Sequence, residues 1–497
     1  MTSLDSAAIR NDYQRALRYV LSKSDSLFNE LAGLKTWQAL AFVLVHIPLG
    51  LAMRRMPAVA TLHAFGTFLF GLKCAVSPRQ RERVVYVCAY IAGSEVLWRM
   101  NESQAFWEFG KYGIAGILIV AMLRDGRFKL PLLPCVYFAL LVPSILLTLQ
   151  SGGDFGRVRR DLSFNLSGPF ALMVCCTYFW RQVFTTKQLQ RLFLAVVGPT
   201  LGVGFVAIGY AFTEASIKFT RGSNKALSGG WGPNQVSSIL GLGGVCAFFL
   251  ALDPRIKPGL RIFILLCSGF LFAQSVITFS RSGPYMGVGC VLLASFYLLR
   301  DRISRKQLFA GIGVLAIVAL VVLPRLNAFT SGALATRYQE VNATNRDVIA
   351  LADLNIFWAN PILGVGPGGS FALHALTFRA QAAHTEYSRL LAEHGLFGLL
   401  ALILLLIIPV RNLLRAKTPM GKALVAAFAG WAVLFMLINA MRLAAPAFFL
   451  GLTCATFLSE EQMLFALKQR VVKFLSRRGS GTLRPRPIAA TQNANAD

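Results

Sequence analysis

The sequence predicts an all-α protein: a polytopic transmembrane helical bundle of about 12–14 spans, with an extracytoplasmic helical insert between late spans. Three observations predict it. Of 497 residues, 55% are hydrophobic and only 14% charged, where a soluble domain carries about 25% charged residues; the mean hydropathy is +0.58. Apolar runs of roughly 17–25 residues, the length a helix needs to cross a bilayer, recur along the chain. The loops between those runs alternate in Lys and Arg content, as cytoplasmic retention of basic loops requires. Helices are expected because lipid offers no partner to an unpaired backbone group.

Residues 1–36 are polar and amphipathic, without the short apolar core and small-residue cleavage site of a signal peptide, and read as a cytoplasmic N-terminal segment. About fourteen candidate spans follow, near 38–53, 57–76, 84–98, 108–123, 131–149, 164–184, 190–213, 234–252, 260–279, 283–299, 307–324, 395–410, 422–440 and 441–459. The first, the third and the last pair are short or barely separated. The bundle therefore divides into 37–324 and 395–460, around an extracytoplasmic (periplasmic) loop domain at 325–394. With the N-terminus cytoplasmic, R-Q-R-E-R (79–83), R-D-G-R-F-K (124–129), D-P-R-I-K (253–257), R-D-R-I-S-R-K (300–306) and R-N-L-L-R-A-K (411–417) all fall inside. Arg54-Arg55 is the short outer turn that breaks this rule. The basic tail, 461–497, is also cytoplasmic; Leu464, Phe465, Leu467, Val471, Phe474 and Leu475 give it an amphipathic piece suited to the inner leaflet. Its last twenty or so residues have a disordered composition. Neither an internal repeat nor the paired broken helices of an inverted-repeat transporter is visible.

The net charge of +28 resembles the footprint of a nucleic-acid binder, but the basic residues sit mostly in short loops between spans, so nucleic acid is excluded as a partner. Nine cysteines lie mainly inside apolar segments without CxxC spacing. They read as small hydrophobes, not as a disulfide framework or a zinc site. The topology makes other basic residues informative. Arg157, Arg159, Arg160, Lys218, Arg221, Lys225 and Arg281 fall on the outer side, where nothing in topogenesis calls for them. They meet either lipid headgroups and solvent or an anion facing that side.

Three motifs stand out. T-F-S-R-S-G-P-Y (278–285) puts Arg281 at the outer end of two apolar runs, with Gly283-Pro284 between them. An arginine there either snorkels to the interface or offers its planar fork of donors to phosphate oxygens. T-R-G-S-N-K-A-L-S-G-G-W-G-P-N-Q (220–235) carries Arg221 and Lys225 into a span at Pro233; its plain reading is a flexible turn before a helix-starting proline. The long polar insert from Arg346 to Phe397 holds His374, His384 and His394 of the chain's five histidines. Its G-V-G-P-G-G lacks the strand, helix and acidic residue of a dinucleotide loop and reads as a sharp turn. H-T-E-Y-S-R-L-L-A-E-H-G-L-F reads as a helix running into the next span, with His384, Tyr387 and Leu391 on one face. The ten-residue spacing of the histidines matches no zinc motif, so no metal is expected.

Taken together, S-R-S-G, the loop ending G-P-N-Q, the N-P-I-L-G-V-G-P-G turn and H-T-E-Y-S-R-L-L-A-E-H-G-L-F-G resemble the O-antigen ligase-like family of bacterial envelope enzymes, over roughly residues 200–410. Thr385 stands where that family often has Asn. The resemblance implies a metal-independent, inverting glycosyltransferase, without cofactors, at the periplasmic face of the bacterial inner membrane. Its donor would be a glycan on undecaprenyl diphosphate. Its acceptor would be another lipid-linked glycan (a polysaccharide polymerase) or lipid A–core (an O-antigen ligase of lipopolysaccharide biosynthesis). The resemblance makes Arg281 and His384 the catalytic residues. Arg221, Lys225 and Arg281 would bind diphosphate, and Glu386, Arg346 and Tyr387 would support the site. Guanidinium groups can stabilise a departing diphosphate without a metal, and an imidazole can take the acceptor hydroxyl's proton. A protein O-oligosaccharyltransferase is the alternative within this chemistry. A transporter of lipid or polysaccharide is the alternative outside it, and predicts charge buried mid-span, for which Glu95 and Arg442 are the candidates.

Overall fold

The computed structural model describes residues 36–126, 130–180, 182–214, 217–220, 222–340, 346–377, 384–459 and 462–463. The amphipathic tail piece, nearly all of the N-terminal segment and Arg221 lie outside the described residues. The chain divides into two compact units, and all that follows concerns the larger, Leu34–Phe184 with Gln188–Phe457.

The architecture is all-α. The chain opens with α1 (Thr36–Arg55), α2 (Pro57–Val76), α3 (Arg81–Met100) and α4 (Phe109–Arg124). Two short pieces, α5 (Leu132–Ala139) and α6 (Ile145–Gln150), lead into α7 (Phe155–Phe179) and α8 (Thr186–Thr213). Then come α9 (Pro233–Ala251), α10 (Pro258–Ile277), α11 (Ser282–Leu298) and α12 (Arg302–Phe329). The polar insert holds α13 (Ala333–Gln339), α14 (Arg346–Ala359) and α15 (Gly369–Thr377), and α16 (Glu386–Arg415), α17 (Pro419–Asn439) and α18 (Ala444–Leu452) follow. Two three-residue strands, Val183–Thr185 and Thr456–Leu458, are the described sheet.

Among the described residues nine helices are long and apolar enough to cross a membrane: α1, α2, α7 to α10, α12, α16 and α17, with α11 a shorter apolar helix. Their burial separates core from periphery. The apolar window of α9 is 89% buried and that of α8 83%, whereas α12 is 11% buried and holds out Ile317 and Leu320. A helix apolar on every face is stable inside a core or in lipid; α12 has no core around it, which makes lipid its surroundings. Small residues let the central helices touch. A Cβ on Gly283 of α11 would lie 2.0 Å from the Ser237 carbonyl oxygen of α9, so this crossing requires glycine.

Two expected spans are not continuous helices. The stretch 131–149 breaks between α5 and α6, where Pro143 has no N–H to continue the ladder. The stretch 441–459 forms only the nine residues of α18. The spans expected at 84–98 and 108–123 form as α3 and α4, but α3 carries Arg81, Glu82, Arg83, Glu95 and Arg99, and α4 has 16 residues. The helix α12 runs through Pro324 to Phe329, past the expected start of the insert.

The loops sort into the two sets expected on opposite sides. At one end Arg81 pairs with Asp125 at 2.9 Å, Arg124 donates to the Ser77 carbonyl at 2.8 Å, and Gln188 donates to Glu82 at 2.9 Å. At the other end Arg54 reaches the Met100 carbonyl at 3.1 Å, and Arg99 reaches that of Arg442 at 3.1 Å. This second end carries the candidate residues. Arg54 is no longer an exception without cause: it also stacks 4.5 Å over the Tyr210 ring.

Candidate functional site

The S-R-S-G loop joins α10 to α11, and its serines face inward. Ser280 Oγ donates to Asn234 Oδ1 at 2.8 Å, Ser238 Oγ donates to Ser282 Oγ at 3.2 Å, and Ser237 Oγ donates to the Ser280 carbonyl at 2.9 Å. The hydroxyls therefore clamp the loop onto α9. Phe279, buried just before them, takes φ 59°, a left-handed conformation that costs a non-glycine residue about 1–2 kcal/mol. Its carbonyl accepts from Arg337 Nε at 3.1 Å.

Arg281 lines a cavity of about 370 Å³ with Asn234, Arg337, Glu340 and Arg346. Its guanidinium donates to the Glu340 carbonyl oxygen, and Arg337 lies 3.9 Å from the Glu340 carboxylate. Three guanidiniums thus share the cavity with one carboxylate. Burial, then the Arg281 charge, lower the Arg337 pKa, with Glu340 opposing; burial, then Arg281 and Arg337, lower that of Arg346. Three helix starts converge on the same space: Asn234 is the second residue of α9, Arg281 caps α11 and Arg346 opens α14. Helix N-termini and unbalanced guanidiniums both favour an anion.

His384 is half-buried immediately before α16. Its carbonyl accepts from Ala440 N at 3.0 Å, tying it to the turn between α17 and α18, where Ala440 has φ 50°. That turn is a partition. Ile438 lines the Arg281 cavity, while Ala440, Met441 and Arg442 line a second cavity of about 620 Å³. His384 lines neither of the two but is fastened to the wall between them. Burial, then the charges of Arg442 and Arg346, lower its pKa to about 4. The imidazole is therefore neutral at neutral pH, with a lone pair able to accept a proton.

The wall of the second cavity is built on the first turns of α16. Arg389 bridges Glu386 and Glu393, the latter at 2.6 Å, and all three are buried. Glu393 also accepts from Gly368 N at 2.9 Å and Ser370 Oγ at 3.0 Å, and Glu386 accepts from Met441 N at 3.1 Å. The G-V-G-P-G-G segment is the turn the sequence predicts: Gly364, Gly366 and Gly368 all have positive φ, and Gly366 N donates to the Glu393 carbonyl at 2.9 Å. The helix α16 is kinked at Gly395 (φ 59°, ψ −135°), so the polar helix and the apolar span are two pieces.

Of the sequence-predicted residues, Arg281 and Arg346 come together, and His384 lies close enough to Arg346 to feel its charge. Lys225 lines a third cavity of about 610 Å³ with Arg54, Trp107, Tyr210, Trp231 and Gln235. Glu386 lines the second cavity and is held by Arg389. Tyr387 donates to the Val433 carbonyl at 2.9 Å and anchors α17. His374 pairs with buried Asp353 at 3.0 Å, and His394 Nδ1 lies 2.5 Å from Ser144 Oγ. Arg337 and Arg389 were missed. The excess of basic residues on the outer side was the available signal for Arg337, which falls in the insert; nothing in the spacing marks Arg389. Among the described residues no three His, Cys, Asp or Glu side chains gather as a metal would require. No family model matches the chain, and no curated protein is significantly similar to it.

Proposed function

We propose that the chain is a glycosyltransferase of the O-antigen ligase or polysaccharide polymerase kind that its motifs resemble, acting on a glycan carried by undecaprenyl diphosphate at the outer face of a bacterial inner membrane. One observation carries the reading: three arginines and three helix N-termini face one cavity with a single carboxylate, beside a neutral histidine. A diphosphate diester carries two negative charges, which matches the excess of two guanidiniums in that cavity. Arg281, Arg337 and Arg346 bind it and stabilise the charge that grows on it as it leaves. His384 accepts the proton of the acceptor hydroxyl as its oxygen bonds to the anomeric carbon. The bond from that carbon to the phosphate oxygen breaks, its electron pair stays on the diphosphate, and a single displacement inverts the centre. The nine apolar helices supply lipid-facing surface for a polyprenyl tail.

The test is glycan transfer by the full chain in nanodiscs, with undecaprenyl-diphosphate-linked donor and either a second lipid-linked glycan or lipid A–core. Arg281→Ala and His384→Ala are each expected to lower the rate at least about 100-fold. Full transfer in both variants overturns the site assignment. A ladder of products identifies a polymerase; one en bloc product identifies a ligase.

One observation favours the transport reading. His46, Tyr90, His63 and Trp98 form a hydrogen-bonded chain across α1, α2 and α3, with links of 2.9, 3.0 and 2.9 Å, and polar groups within spans mark transport pathways. Movement of labelled lipid across vesicles with no glycosidic product decides for it.

A further inference from the structure

Two cavities flank the Ala440 turn, and their chemistry differs. The Arg281 cavity sets three guanidiniums against one carboxylate. The larger one sets four, Arg159, Arg160, Arg389 and Arg442, against four carboxylates, Glu108, Asp161, Glu386 and Glu393. Equal numbers of opposite charges give an anion no net attraction. They do give a polyhydroxyl ligand what it needs, because each sugar hydroxyl both donates and accepts, guanidiniums only donate and carboxylates only accept. Several of these groups are fixed before any ligand arrives. Glu386, Arg389, Glu393 and Asn165 are all more than 90% buried and are joined through Arg389.

The same cavity is lined by Phe106, Trp107, Phe164 and Phe371. Phe106 is 54%, Trp107 37% and Phe371 44% exposed. The negative face of an aromatic ring attracts the slightly positive C–H face of a sugar ring, so exposed rings around fixed polar groups suit a saccharide. The volume of about 620 Å³ falls in the range of small-ligand sites, roughly 300–1,000 Å³. His384 is tethered to the partition, on the side opposite the arginine cavity from these rings.

We propose that this second cavity holds the uncharged sugar end of the acceptor glycan, apart from the diphosphate in the Arg281 cavity. The proposal rests on the glycosyltransferase reading for the word acceptor, but not for saccharide binding itself. It also gives Arg159 and Arg160 a role: they complete a balanced polar rim, and Arg157 beside them lies 3.8 Å from Asp161.

The experiment uses the full chain in nanodiscs and two probes. One is the reduced, uncharged oligosaccharide released by mild acid from the polyprenyl-linked pool of the producing cells; the other is geranylgeranyl diphosphate. Saturation-transfer NMR gives both affinities. Trp107→Ala and Phe371→Ala, at exposed rings whose loss leaves the core intact, are expected to weaken the oligosaccharide at least about tenfold and leave the diphosphate within about twofold. Arg281→Ala is expected to do the reverse. Unchanged oligosaccharide affinity in both aromatic variants, or no oligosaccharide binding by the wild type, overturns the proposal. Loss of transfer chemistry with this binding pattern intact sinks the enzyme reading and leaves the cavity assignment standing. Transfer with an unchanged acceptor KM in Trp107→Ala sinks the cavity assignment alone.

Discussion

His384 works, if it works as a base, from an unusually acidic starting point. Burial and the Arg442 and Arg346 charges bring its pKa to about 4, and a base must be neutral to act. In the free protein the neutral form persists as pH falls until about 4, so the acid limb of kcat/KM is expected there and not near the ordinary value of about 6.5. A bound diphosphate offsets the Arg346 charge, which raises the histidine pKa; the acid limb of kcat is therefore expected at higher pH than that of kcat/KM. Removing one repelling charge has the same sign: Arg442→Ala moves the kcat/KM limb upward. A limb near 6.5 that Arg442→Ala leaves in place contradicts this environment. At this scale the sequence was informative where a residue sits in a motif and silent where it does not. Arg281 and His384 are marked by short, distinctive neighbourhoods. Arg337 and Arg389 acquire meaning only from what faces them across the fold, Phe279 and Glu340 for one and Glu386 with Glu393 for the other.

The element that shapes the site is the kinked α16 with the glycine turn packed into its break. Gly364 (φ +67°) faces Gly395 (φ +59°): a Cβ on Gly364 would lie 2.4 Å from the Glu393 carbonyl carbon and 2.5 Å from His394 N. Leu396 N donates to the Pro361 carbonyl at 2.7 Å across the same contact. Gly364→Ala therefore combines left-handed strain with a clash against backbone that cannot yield cheaply, about 2–5 kcal/mol together. Gly332, also at positive φ (82°), has nothing within 4 Å of its would-be Cβ, so Gly332→Ala bears the conformational term alone, about 1–2 kcal/mol. Thermal unfolding in detergent should show Gly364→Ala melting well below Gly332→Ala; equal midpoints would remove the packing argument. The turn itself was legible from G-V-G-P-G-G, because four glycines around a proline have few other uses. The kink was not, because the apolar period of α16 continues across Gly395. Likewise the break between α5 and α6 is hidden in a stretch whose composition is apolar throughout.

For the molecule as a whole, hydropathy and loop charge were sufficient to sort the segments by end but not by compartment. Every loop that the basic-inside rule assigns to one side meets its fellows at one end of the bundle, as the Arg81–Asp125 pair illustrates. The outer arginines follow another logic, lining cavities at the opposite end instead of standing in short loops. The proposed chemistry requires that cavity end to face away from the cytoplasm, where lipid-linked glycans are assembled into envelope polymers. Cysteine accessibility tests this directly. The nine native cysteines are buried or half-buried, so their background labelling is low. Asp154→Cys and Ser331→Cys add exposed thiols at the cavity end, and Arg79→Cys and Lys417→Cys add them at the other. In intact spheroplasts a membrane-impermeant maleimide is expected to label the first pair, with the second pair labelled only after lysis, as a basic cytoplasmic end requires. The reverse pattern would turn the arginine cavity toward the cytoplasm. It would overturn the proposed donor and the acceptor cavity's access to envelope glycan together, while leaving the helical bundle untouched.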